Sequence, residues 1–103
     1  MIEYKVEVTE KSIRWYNLEG ERHREDGPAV ESSNGDKSYY INDKLHREDG
    51  PAIDDVNGYK AYFINGKRHR EDGPAMEWAN GSKAYYINGL YLIEKEFNNR
   101  NNN

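Results

Sequence analysis

At 103 residues, with 35% hydrophobic and 33% charged side chains, the chain is one domain with no material for a thick apolar core. Its formal net charge of −4 comes from acids and bases that alternate closely, as in Arg24-Glu25-Asp26, which argues against a nucleic-acid groove and, less strongly, against an anionic membrane surface. There is no cysteine, which excludes disulfides, thiolate metal sites and thiol nucleophiles.

Residues 1–8 alternate polar and apolar side chains, the period of a half-buried strand, and lack the apolar core of a signal peptide. No apolar run approaches membrane-spanning length, so a cytoplasmic protein is expected. A strand at 2–8 is expected to turn back at 9–12. The segment after it carries Trp15, Tyr16, Leu18 and Gly20, which lie 23 residues before Ser38, Tyr39, Ile41 and Asp43. Residues 1–22 therefore read as a degenerate first copy of a repeat, atypical because it caps a stack.

The full repeat begins at His23. His-Arg-Glu-Asp-Gly-Pro-Ala starts at His23, His46 and His69, a constant period of 23 residues. Each copy runs on to Asn-Gly (Asn34-Gly35, Asn57-Gly58, Asn80-Gly81) and then Lys-x-Tyr-aromatic-Ile-Asn. Asn-Gly between two extended runs predicts a two-residue hairpin, because both residues tolerate the positive φ of a type I′ turn. Folding about Asn34-Gly35 pairs Ser33 with Asp36, Val30 with Tyr39 and Ala29 with Tyr40. Side chains alternate along a strand. One face then carries Pro28, Val30, Tyr39 and Ile41, matched by Pro51, Ile53, Tyr62 and Ile64 and by Pro74, Met76, Tyr85 and Ile87; this is the expected core. The other carries Ala29, Glu31, Ser38 and Tyr40. If the hairpins stack side by side, Tyr40, Phe63 and Tyr86 make an aromatic stripe with a spacing of about 10 Å.

Inside the heptapeptide, Asp26-Gly27-Pro28, Asp49-Gly50-Pro51 and Asp72-Gly73-Pro74 are turn chemistry: Asp bonds the backbone ahead, Gly permits positive φ, and Pro returns to extended structure. His23, His46 and His69 are expected to pack against or bond to the next turn. Arg and Glu are expected to pair between stacked neighbours, fixing register more than adding stability. The His-x-x-Asp pattern contains metal-ligand types, but one ion needs its ligands within about 2.2 Å, and units about 10 Å apart cannot share it. No metal and no other cofactor is expected. No Ser-His-Asp set, phosphate-cradling glycine loop or carboxylate cleft is recognisable, so catalysis is not expected either.

After Asn88-Gly89 the pattern stops, with Leu92 at the His position. Residues 90–97 are expected to form a short helical cap that protects an open sheet edge. Residues 98–103, nearly all Asn, are expected to be a disordered tail. The domain thus spans 1–97.

The period, one hairpin per unit, and Asn65-Gly66-Lys67-Arg68-His69 running on to Asn80-Gly81-Ser82-Lys83-Ala84-Tyr85 resemble the MORN repeat over about residues 13–91. Where that family has His-Gly-x-Gly, this chain has His69-Arg70-Glu71-Asp72-Gly73-Pro74-Ala75, so it looks like a variant of the kind found in bacterial and phage proteins. The resemblance implies a single-layer antiparallel sheet of successive hairpins. It also implies a protein-interaction, scaffolding or lipid-associated role without enzymatic activity.

The expectation is an all-β, open, twisted array of β-hairpins that binds a partner protein, as a small bacterial or phage inhibitor or adaptor. Tyr40, Phe63 and Tyr86 are the candidate anchors, with Trp15 and Trp78 near the two ends, since Tyr and Trp dominate interface energetics. Two alternatives stand beside it. Open sheet edges invite self-association, for instance as a homodimer, and the repeated His/Asp turns suit a metal or ligand sensor. A stacking platform for single-stranded nucleic acid lacks the basic groove it needs.

Overall fold

The computed structural model describes residues 3 to 100. Its elements, in chain order, are β1 (Lys5–Val8), β2 (Ser12–Tyr16), β3 (Val30–Ser32), β4 (Lys37–Ser38), β5 (Tyr40–Ile41), β6 (Lys44–Leu45), β7 (Ile53–Asp54), β8 (Lys60–Ala61), β9 (Phe63–Ile64), β10 (Lys67–Arg68), β11 (Met76–Glu77), β12 (Lys83–Ile87), β13 (Leu90–Leu92) and α1 (Glu94–Asn99). One open sheet of nine strands runs β1-β2-β3-β4-β7-β8-β11-β12-β13. Two ribbons, β5-β6 and β9-β10, follow β4 and β8 in the chain after breaks at Tyr39 and Tyr62. The fold is the expected open antiparallel array with one short C-terminal helix. No helix among the described residues is long and apolar enough to cross a membrane.

Each unit contains two hairpins rather than one. At the first turn, Gly35 N–H donates to Ser32 O and Ser32 N–H to Asp36 O, and of the turn residues only Gly35 has a positive φ, 101°. The loop is therefore three residues long, and Val30 faces Ser38, not the expected Tyr39. A slip of one residue sends a side chain to the other face, so Tyr39 joins Ala29. The type I′ turns, with both central residues at positive φ, lie instead at Asn42-Asp43 (47° and 67°), Asn65-Gly66 (49° and 80°) and Asn88-Gly89 (49° and 82°).

The core moves with the register. Of the expected core face only Met76 is buried; the rest is half-buried. Ala29, Ala52, Ala61 and Ala75 have no exposed surface, and Met76, Ala84 and Phe97 are nearly as covered. Ala61, Ala75, Met76 and Ala84 cluster with half-buried Ile53, Tyr59, Phe63 and Tyr86. On the face of Ala29, Ala52 and Ala75, Glu31, Lys37, Asp54, Lys60, Glu77 and Lys83 lie directly across from one another in that order, acid against base at every step. Opposite charges in such cross-strand pairs each add a few tenths of a kcal/mol, about 0.2 at the low end.

The first copy is offset by one residue from its expected alignment. His23 N–H bonds Trp15 O, whereas His46 and His69 bond Tyr39 O and Tyr62 O, so Trp15 is the counterpart of Tyr39, not of Ser38. The extra residue is absorbed where Asn17 N–H reaches Glu21 O. At the other end, α1 seats Phe97 on the Tyr85 ring, with centroids 4.6 Å apart. The helix runs through Asn98 and Asn99, two residues beyond the expected end of the cap at 97; residues 101–103 of the expected tail lie outside the described residues.

Candidate functional site

The heptapeptide is a joint between successive units. His23, His46 and His69 accept at Nδ1 from the backbone N–H of Asn42, Asn65 and Asn88, each at 2.9 Å. Those asparagines open the type I′ turn that ends the same copy, so each histidine bonds a turn of its own unit, the second one after it in the chain. With Nδ1 accepting, Nε2 carries the proton. It points to Glu25, Glu48 and Glu71 at 3.2, 3.3 and 3.5 Å.

The arginine does not pair with a neighbouring unit's Glu, as the sequence suggested. Arg24, Arg47 and Arg70 lie flat on Trp15, Tyr39 and Tyr62, with guanidinium carbons 3.9, 4.0 and 4.1 Å from the ring centroids. Each also donates to the Asp two residues on and to the Pro carbonyl four residues on. The Asp of Asp-Gly-Pro thus holds the arginine. Its glycine has another role than the one expected: Gly27, Gly50 and Gly73 are not among the glycines at positive φ. A Cβ there would stand 3.0, 2.9 and 2.9 Å from the guanidinium carbon, so the position is kept bare to let the cation lie over the backbone. Arg24 and Arg70 gain a second carboxylate, Glu31 at 3.4 Å and Glu77 at 3.0 Å. In the middle copy the residue is the shorter Asp54, which pairs with Lys60 at 2.9 Å and pushes that lysine's pKa up through the hydrogen bond.

These contacts leave the cations low and the anions high. The side chains of Arg24, Arg47 and Arg70 are 19%, 25% and 22% exposed, against 77%, 89% and 87% for Asp26, Asp49 and Asp72. Between the first and second heptapeptides lies an open cleft of about 850 Å3, floored by Tyr39 and Ile41. A second, of about 610 Å3, lies between the second and third and is floored by Tyr62 and Ile64. Both are walled by the Arg-Glu-Asp run of one heptapeptide and by the His-Arg-Glu-Asp run of the next.

The aromatic stripe lies on the other face, and its rings are half-buried. Phe63 and Tyr86 pack on the alanine–methionine cluster. Arg22 lies 4.1 Å over the Tyr40 ring and bonds its hydroxyl, and Arg68 lies 5.3 Å from the centroid of Tyr86. Arg22 is itself held by Asp43 at 2.7 Å, which raises the arginine's pKa and lowers that of the carboxyl. Trp15 is half-buried under Arg24, with Tyr4 edge-on at 5.3 Å, and its Nε1 is buried with no hydrogen-bond partner among the described residues. Trp78 is 39% exposed and tilts against Tyr59 at 5.9 Å. Trp15 is part of the first joint, under Arg24, whereas Trp78 and the stripe side chains do not line the clefts. Tyr39, Tyr62, Ile41 and Ile64, assigned to the core from sequence, are the cleft floors. An arginine at the same place after Tyr39 and after Tyr62, and one residue further after Trp15, was the readable signal for the stacks.

Compared with known proteins, the chain matches no protein-family model, no curated protein and no solved structure.

Proposed function

We propose that the protein is a non-catalytic protein-binding module. The observation that supports this reading most is repetition of the same open cleft, apolar at the floor and charged at the walls, along one side of a thin sheet. Such a surface suits an elongated partner contacted by several units at once. The resemblance of the units to MORN repeats points the same way. The half-buried stripe of Tyr40, Phe63 and Tyr86 is the second surface a partner would use. The test is capture from the native host with two folded variants: Glu25/Glu48/Glu71→Gln on the cleft side and Tyr40→Ala on the stripe. A single protein retained by wild type and lost with one variant supports the module and names its face; equal retention by both counts against it.

A second reading, self-association, is favoured by the sheet's outer strand. All four residues of β1 are exposed, including Val6 and Val8, and among the described residues β1 pairs only with β2. Unpaired strand edges are templates for another chain. Mass that rises with concentration in sedimentation would favour this reading over the first.

A further inference from the structure

We infer that the two clefts form one continuous track for a basic peptide in polyproline II conformation, with Lys or Arg at every third residue. This rests on the protein-binding reading and specifies the partner's chemistry.

Three observations converge. First, beside the arginine-covered rings of Tyr39 and Tyr62 the clefts expose part of the aliphatic chains of Ile41 and Ile64, which suit the methylene stem of a long cationic side chain. Second, the walls carry more acid than base. Arg24, Arg47 and Arg70 hold Asp26, Asp49 and Asp72, whereas Glu25, Glu48 and Glu71 meet only a histidine Nε2–H, and Glu48 on the ridge between the clefts is 82% exposed. Among the described residues, one carboxylate in each heptapeptide is left without a cation. Third, the pitch matches. Successive units advance by two strands of the sheet, β3 to β7 to β11, which is about 10 Å. A polyproline II helix repeats every three residues, about 9 Å. Basic side chains at i and i+3 then point the same way, one into each cleft. An ordinary extended strand does not suit, because i and i+3 point to opposite sides. A polyproline II segment is already extended when free, so its ordering costs little entropy.

The experiment uses the full chain and three synthetic peptides of equal length and charge: Pro-Pro-Lys repeated, and versions with Lys spaced every second and every fourth residue. Binding is read by fluorescence anisotropy at low and high salt. The every-third peptide should bind more tightly than the other two, and its affinity should fall with salt. Glu25/Glu48/Glu71→Gln should weaken it roughly tenfold, the sum of a few exposed ion pairs, with unchanged melting. A control that removes the same charge elsewhere, Glu7/Glu10/Glu19→Gln, should leave binding intact. Equal binding of all three spacings, equal loss in the control, or no saturable binding overturns the inference. So does loss of peptide binding because the protein fills its own clefts as a dimer. If the peptide fails while a host partner is still captured and lost with a folded variant, the protein-binding reading survives and only this inference falls.

Discussion

At residue scale, the glycine of the heptapeptide shows how a local rule can name the right residue for the wrong reason. Asp-Gly-Pro reads as a turn that needs positive φ, yet Gly50 is bare because the Arg47 guanidinium lies 2.9 Å from where a Cβ would be. Gly50→Ala should lift Arg47 off Tyr39 and cost about 1–2 kcal/mol; an unchanged melting temperature would remove the close-approach argument. Asp43 gives the pH dependence. It sits at positive φ, where the later units have glycine, and Arg22 holds its carboxyl below the ordinary value. A depressed folded pKa contributes stability above the unfolded carboxyl's value, about 4, and loses it as pH falls through the lower folded value. Asp43→Asn should therefore melt lower than wild type at neutral pH, with the gap closing in acid. A gap that is flat across pH would show that the Arg22 pair contributes nothing.

At the scale of elements, only the first of the two turns in each unit was read from sequence, and it was read as the wrong type. Asn-Gly satisfies a type I′ turn, and it equally satisfies a three-residue loop in which only the glycine is left-handed. Nothing local chooses between them. The strands on either side choose, because the longer loop sets Ala29 and Ala52 beside the rings of Tyr39 and Tyr62, where the alanines are fully covered. The histidine was easier to read, since its only nearby use was a turn further along the same unit. His46→Ala should leave the Asn65 N–H to solvent and cost about 1 kcal/mol, seen as a lower urea midpoint with binding retained. The end cap was legible as a break in the pattern, and its chemistry was not. Phe97 occupies over Tyr85 the place that an arginine takes over Tyr39 and Tyr62, and Arg100 lies 3.8 Å over Phe97 in turn. Phe97→Ala should cost about 3 kcal/mol and raise amide exchange in β12 and β13 first; uniform acceleration along the chain would show that the cap is not local.

For the molecule as a whole, thinness is the governing fact. The molecule measures 47 × 29 × 17 Å, and its radius of gyration of 15.2 Å exceeds the roughly 13 Å of a compact domain this long. Among the described residues no large side chain is fully buried. Stability therefore comes from joints between neighbours, as in other repeat arrays. His23→Ala and His69→Ala act at different joints, so their costs should add to within about 0.5 kcal/mol. Strong non-additivity in denaturant melts would mean that the units are coupled beyond nearest neighbours.

The sequence by itself determined the period, one of the two hairpins in each unit, the two atypical ends and the bond from each histidine to a turn. These follow from short-range chemistry: turn residues, alternation, and one donor meeting one acceptor a fixed distance along the chain. Only the tertiary structure decided the register, and with it which side chains became core and which became cleft. A one-residue slip changes no composition and no periodicity, and it exchanges the faces. What selected it was packing between units, small alanines fitting beside aromatic rings already covered by arginine, and that contact exists only once neighbouring hairpins have met.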